Sequence, residues 1–106
     1  MALILKNSFS IKDHNQKDYE KCYLVIDQLN INKSSKECYF IVDIFSSKDA
    51  RKQFHNPIKT IAYRVPKNEY DHFFSLETIA KKGNQYICAY NFLKDLKEYE
   101  NWESDF

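Results

Sequence analysis

The sequence predicts an α+β fold, in which a three- to four-stranded antiparallel sheet forms a meander and a C-terminal helix packs on one face of it. Three observations lead to this prediction. Apolar side chains recur at every second residue over the first two-thirds of the chain, which is the period of a strand. After Gly83, the only glycine, the apolar spacing changes to the helical period. The length of 106 residues has room for one domain, residues 1–106.

The first half of the chain supplies the opening strands. Residues 3–12 alternate apolar and polar side chains and predict a first strand, followed by a polar turn over 13–18. Residues 22–31 predict a second strand, in which the apolar phase shifts between Ile26 and Leu29. Because a bulge inserts one extra residue into a strand, we expect a bulge at this point.

The middle of the chain continues the meander. Alternation is strongest over residues 38–45, and the short polar loop before them indicates an antiparallel hairpin. Ser47 is a candidate cap for a single helical turn. Residues 58–65 predict a further hairpin partner with Ile61, Tyr63 and Val65 on one face. Pro66 ends this strand because proline cannot donate to a ladder.

The last third of the chain is expected to be helical. Residues 68–75 predict an aromatic-rich loop, and residues 76–82 a helical turn that ends at Gly83. Asn84 is the expected N-cap of the main helix. One face of that helix is predicted to carry the apolar stripe and to lie on the sheet: Tyr86, Ala89, Phe92, Leu93 and Leu96.

Charge and composition weigh against several classes of partner. The net charge is +1 and only two arginines are present, so no basic face for nucleic acid is expected. No apolar run is long enough for a membrane span. Aromatic residues make up 16% of the chain, more than a core of this size holds. The excess indicates either a surface for protein docking or tolerated surface tyrosines.

The candidate chemical groups form no motif. Three cysteines (Cys22, Cys38 and Cys88) lie in apolar or alternating stretches, and three histidines (His14, His55 and His72) lie in polar segments. No paired-ligand spacing joins them, so we predict no metal site, no cofactor and no catalytic residue. Buried free thiols are typical of a reducing cytosol. An enzyme whose site residues meet only in the fold stays open as an alternative.

Several segments resemble, in order, a family of small phage-encoded proteins. Residues 89–99 (AYNFLKDLKEY) look like an "AYxYLKTLPEF" segment that closes members of that family. Residues 44–51 contain a "SKEAR"-like run, residues 57–65 are similar to a "PIxxKxYxV" strand, and residues 76–83 resemble the stretch that leads into the helix. The opening MALILK is similar as well. The resemblance covers most of residues 38–105.

The resemblance implies a gene from the tail or virion-structural region of a tailed phage or prophage. It implies no activity and no catalytic residues. Partners would be other protein subunits, namely further copies of this chain or tail proteins, in the host cytoplasm or in the virion. Lys97 replaces a usual proline, so we expect the helix to run further here, and His55 and Asn56 replace the usual small residues.

The first hypothesis is thus a phage tail-associated structural or assembly protein that acts through protein–protein contacts. The alternative is a non-virion phage factor, such as an assembly chaperone or a host-directed binding protein. For the interface we predict the face of the 38–45 strand opposite the helix, together with the C-terminal tail. The predicted interface residues are Tyr39, Ile41, Phe45, Trp102 and Phe106. Two alternatives stay open: Trp102 folds back onto the domain's own core, or an N-terminal strand or loop covers the face of the 38–45 strand.

Overall fold

The fold is taken from a computed structural model, which describes residues 1–7, 9–13 and 15–105. In this part of the chain the strands are β1 (Leu3–Leu5), β2 (Ser10–Lys12), β3 (Asp18–Glu20), β4 (Tyr23–Asn32), β5 (Glu37–Phe45), β6 (Lys59–Val65) and β7 (Trp102–Ser104). The helices are α1 (Lys48–Lys52), α2 (Lys67–Phe74), α3 (Leu76–Lys82) and α4 (Gln85–Asp95), followed by a 3₁₀ turn at Lys97–Tyr99. The predicted α+β class is confirmed.

The main sheet is antiparallel and has five strands in the order β6-β5-β4-β1-β7. The predicted meander is present as β4-β5-β6, but three to four strands is too few. The structure adds β1 and β7 beside β4, with Leu5 opposite Trp102. β1 and β7 have only three residues each, too few for an alternating pattern to be recognised in the sequence. Their pairing also joins segments from opposite ends of the sequence.

The predicted strand over residues 3–12 is wrong as a single element. β1 ends at Leu5, and β2 begins at Ser10 outside the main sheet, where it pairs with β3. This small hairpin packs Ile11 and Tyr19 against the hydrophobic core. The alternation predicted one continuous strand, because it runs through residues 6–9 and gives no sign of the break between β1 and β2.

The bulge predicted in the second long strand is confirmed. The register of β4 against β5 shifts between Asp27 and Asn30, and Gln28 takes a φ of 47°. The extra residue returns Leu29 and Ile31 to the side of the sheet that packs against the core. A left-handed backbone angle at Gln28 is therefore the local cost of keeping both apolar side chains on that side.

The predicted loop over residues 68–75 is wrong, because most of these residues lie in helix α2. Pro66 ends β6 and stands at the N-cap of α2, where its fixed φ is compatible with helix entry. Tyr70, Phe73 and Phe74 are all buried. Their spacing of three and four residues is helical, and the aromatic content concealed that signal.

The caps that the sequence predicted are confirmed. The Ser47 hydroxyl accepts a hydrogen bond from the Ala50 backbone N–H at 3.0 Å and begins α1. Gly83 ends α3 with a φ of 97°, and the Asn84 side chain accepts from the Ile87 N–H at 2.9 Å to begin α4. These residues separate α3 from α4 by one sharp turn.

Helix α4 differs from its prediction at both ends. It ends at Asp95 because Leu96 is extended, with φ −79° and ψ 136°, so the expected extension through Lys97 is wrong. Tyr86, in the first turn of the helix, is 39% exposed, so it is not buried with the rest of the stripe. The residues that α4 buries are Cys88, Ala89, Tyr90, Phe92 and Leu93.

Helices α2 and α4 together cover one face of the main sheet, called here the inner face. Phe40 of β5 is fully buried, and its ring lies 6.2 Å from that of Phe92, which lies 5.4 Å from that of Phe73. The Tyr90 hydroxyl accepts from the Ile26 N–H at 2.9 Å and donates to the Met1 carbonyl at 3.1 Å. Helix α4 thus satisfies a backbone donor of β4 beyond the end of β1.

Candidate interaction surface

The other side of the main sheet, called here the outer face, is defined by the strand register. Tyr39 lies opposite Asn30 and Arg64, Ile41 opposite Asp27 and Ala62, and Asp43 opposite Val25 and Thr60. The remaining members at the β1 end are Ile4, Tyr23 and Phe45. Because neighbouring residues of a strand point to opposite faces, these side chains point away from the core that lies under α2 and α4.

Two of the predicted interface residues lie in the open part of the outer face. Tyr39 is 49% exposed, although it stands between the fully buried Cys38 and Phe40. Ile41 is half-buried. Whether these side chains contact a partner stays a prediction.

Phe45 is on the predicted face, but the expectation that it is exposed is wrong. The side chain is 7% exposed because α1 folds back over the end of β5, and the guanidinium carbon of Arg51 lies 5.5 Å from the centre of the ring. The Lys48 ammonium lies 5.9 Å from the ring centre of Tyr23, which pairs with Phe45 across the strands. The cap at Ser47 turns the chain immediately after the strand and so places α1 here.

Trp102 is also buried, at 5% exposure, and so is not an exposed anchor. It lies in β7 opposite Leu5, and its ring centre is 6.2 Å from that of Tyr99. The C-terminal segment is therefore the last strand of the sheet and contributes Trp102 to the core. Phe106, the other residue predicted in the tail, lies outside the described residues.

Sequence reasoning missed three apolar members of the outer face, namely Ile4, Val25 and Ala62. Ile4 and Val25 are half-buried and Ala62 is exposed. The alternation of each strand places them opposite the core residues, so the signal was present. Their assembly into one surface with Ile41 depends on strand order and register, which the sequence does not show.

The charges on the open part of the outer face are mostly acidic, whereas Lys48 and Arg51 of α1 lie over its covered end. Asp27, Asp43 and Glu37 lie on the outer face, whereas Arg64 is the basic residue that β6 adds. The Asp43 carboxylate accepts a hydrogen bond from the Thr60 hydroxyl at 3.0 Å. An apolar surface with carboxylates around it favours a protein partner that presents apolar groups next to lysine or arginine.

The three cysteines are free and buried. Burial raises the pKa of the Cys22 thiol to about 11 and that of Cys38 to about 12. For Cys88, burial also raises the pKa, while the Lys82 ammonium opposes the shift. At neutral pH the thiols are therefore protonated, and a protonated thiol is a weak nucleophile.

A cleft of about 320 Å³ between α2, α3 and α4 brings a thiol, an imidazole and a carboxylate to one place, because Cys88, His72 and Asp95 all line it. Within the described part of the chain no hydrogen bond or ion pair joins the three, and no group of three or more metal-ligating side chains forms. The His72 ring instead packs edge-on against Phe73 at 4.6 Å. His55 lies in the exposed segment after α1, and His14 lies outside the described residues. The absence of catalysis stays a prediction.

Comparison of this chain with protein-family models, with curated proteins and with solved structures finds no match. Among the described residues, no helix has the length and apolar composition that crossing a bilayer requires.

Proposed function

We propose that this chain is a tail-associated structural or assembly protein of a tailed phage or prophage, and that it acts through protein–protein contacts of its outer face. One observation carries the proposal. Tyr39, Ile41, Val25 and Ala62 form an apolar surface on the side of the sheet away from α2 and α4, and α1 covers only the end of it at Phe45. Neighbouring apolar groups on a sheet face are typical of protein interfaces.

The chemistry of the surface defines the partner. Tyr39 offers a large ring of limited conformational freedom, a side chain that contributes strongly at interface centres. Asp27 and Asp43 lie beside the apolar groups and exclude a partner surface rich in carboxylates. We expect the partner to present apolar side chains with basic residues around them.

Support for the role in tails comes from the sequence motifs. The segments that resemble the phage family lie in β5 and α1, in β6, in α3 and in α4, and they follow one another in the order of the family. A tail component repeats in many copies, so a binding surface without a catalytic site is sufficient for such a role.

The test is mass spectrometry of particles purified from cells that carry the gene. We expect the chain in the particles, and we expect Tyr39→Ala to lower its copy number while the folded protein level is unchanged. Tyr86→Ala is the matched control, because Tyr86 is similarly exposed but belongs to α4.

Absence of the chain from intact particles would contradict the structural role. In that case a pull-down from the same cells distinguishes the alternative, a non-virion factor in the host cytoplasm. A host protein as the single partner, lost with Tyr39→Ala and kept with Tyr86→Ala, would support that alternative.

A further inference from the structure

In the part of the chain that the structure describes, no strand pairs with the outer edge of β6, which is seven residues long. This strand is the outermost one beside β5, and its register runs without a shift from Ile44–Lys59 to Cys38–Val65. The opposite edge, β7, is only three residues long. A long regular edge presents a row of backbone donors and acceptors on which another strand pairs.

Charged side chains, one of the usual protections of an edge strand, are present in β6 at Lys59 and Arg64, but two other protections are absent. The strand has no proline and no bulge, and the two prolines of the chain, Pro57 and Pro66, lie just outside it. Clefts lie at both of its ends, one of about 590 Å³ beside Lys59 and Thr60 and one of about 410 Å³ beside Arg64 and Val65. The first cleft has the turn of the β2–β3 hairpin on one side and the start of β6 on the other.

The sequence of β6 is complementary to itself when it runs antiparallel to a second copy. Pairing about Ala62 uses all seven residues, and it places Ile61 opposite Tyr63 of the second copy. Thr60 then lies opposite Arg64 and Lys59 opposite Val65, so no like charges meet. A register centred on Arg64 would instead place two arginines opposite each other.

The outer face adds an electrostatic contribution to this register. Asp43 accepts the hydrogen bond of Thr60, and Arg64 of the second copy would lie directly beside Thr60. The guanidinium would then be within reach of the Asp43 carboxylate, and two-fold symmetry repeats the contact. We propose that β6 is a self-association edge, through which two copies join their main sheets about a two-fold axis at Ala62.

This inference extends the proposed function. It rests on that function in one respect only, namely that the chain acts through protein–protein contacts. It concerns the edge strand β6, whereas the proposed function concerns the outer face around Tyr39. Because Ala62 belongs to both, Tyr39→Ala, which changes the outer face but not β6, should dimerise like wild type. Absence from particles would therefore contradict the role in tails and leave the edge pairing intact. A failure of the edge pairing would leave the outer-face surface intact.

The experiment is sedimentation equilibrium on the full chain and on Ala62→Lys and Ala62→Glu. Ala62 is exposed, so either charge is accommodated in one copy, whereas two like charges would meet at the two-fold axis. We expect a wild-type dimer, at least about tenfold weaker association for each variant alone, and a restored dimer in their equimolar mixture. Ala80→Lys and Ala80→Glu, at an exposed alanine of α3, are the matched controls and should dimerise like wild type.

A wild-type chain that stays monomeric would overturn the proposal, and so would Ala62 variants that dimerise normally or fail to recover on mixing. Should those variants fold poorly, Ala62→Cys provides a second measurement. Because the three native thiols are buried, a mild oxidant should yield a disulfide-linked dimer through position 62 and none with Ala80→Cys. Equal cross-linking at both positions would contradict the assigned edge.

Discussion

The two faces of the main sheet consist of alternate residues of the same strands, yet they meet different environments. Along β5, Cys38, Phe40 and Val42 are fully buried under α2 and α4, whereas Tyr39 is half-exposed and Ile41 half-buried. Glu37 and Asp43 continue the outer set, but Tyr39 and Ile41 are themselves apolar, so the hydrophobicity of these two residues does not explain why they stay outside the core. The difference teaches that the helix layer decides which apolar set becomes the core and which becomes a surface.

The largest expected effect on stability comes from comparing two aromatic residues that are neighbours in β5, Phe40 on the inner face and Tyr39 on the outer face. Phe40→Ala should lower the free energy of unfolding by about 3–5 kcal/mol, because the side chain is fully buried against Tyr63 and Phe92. Tyr39→Ala should cost less than about 1 kcal/mol because much of the ring already contacts solvent. Urea unfolding measures both. Similar costs for the two variants would contradict the distinction between the faces.

The second effect concerns hydroxyl groups on the two helices that cover the inner face. Tyr90→Phe leaves the buried Ile26 N–H without its acceptor and should cost about 1–3 kcal/mol. The Tyr70 hydroxyl is buried and makes no hydrogen bond within the described residues, so Tyr70→Phe should stay within about 0.5 kcal/mol of wild type or stabilise the chain. Thermal unfolding of the two variants provides the comparison, and an equal loss would argue against the Tyr90 contact.

Alkaline pH should lower the free energy of unfolding through the buried thiols of the core, Cys22 and Cys38. The folded pKa values of Cys22 and Cys38, about 11 and 12, lie above the ordinary value of 9.0. Between pH 9 and these folded pKa values, the thiols of the unfolded chain lose protons that the thiols of the folded chain keep. The contribution of the thiols to the free energy of unfolding is therefore fully present below pH 9 and is lost as the pH rises. The slope is about 1.4 kcal/mol per pH unit for each thiol.

Urea unfolding at a series of alkaline pH values measures that slope. Cys38→Ala is the control, because it should remove one thiol's share of the pH dependence even though it lowers the starting stability. A profile that Cys38→Ala leaves unchanged would contradict the role of this thiol.

The smallest effect belongs to the part of the outer face that α1 covers. Arg51→Ala should cost about 0.5–1 kcal/mol, because its guanidinium lies over the ring of Phe45. Lys52→Ala is the neighbouring control, since Lys52 is exposed on the same short helix, and we expect no measurable change. Thermal unfolding is the measurement. Identical melting temperatures for the two variants would contradict a stabilising contact between Arg51 and the Phe45 ring.

The candidate site was predictable only in part. Tyr39 and Ile41 followed from the alternation of β5, because period two assigns them to the face opposite Phe40. Phe45 obeys the same period, but its exposure depends on the turn at Ser47, which lays α1 over it. Trp102 lies in a strand of three residues, too short for any period to appear, and its partner Leu5 is almost the whole chain away.

Local patterns in the sequence determined the long strands β4, β5 and β6, the bulge after Ile26, and the caps at Ser47, Gly83 and Asn84. Each of these depends on neighbours within a few residues, where side-chain alternation and backbone preference act directly. Tertiary structure alone decided the addition of β1 and β7, the separation of the β2–β3 hairpin and the burial of Phe45 and Trp102. These features depend on contacts between distant segments, whose free energy exists only once the chain has brought the segments together.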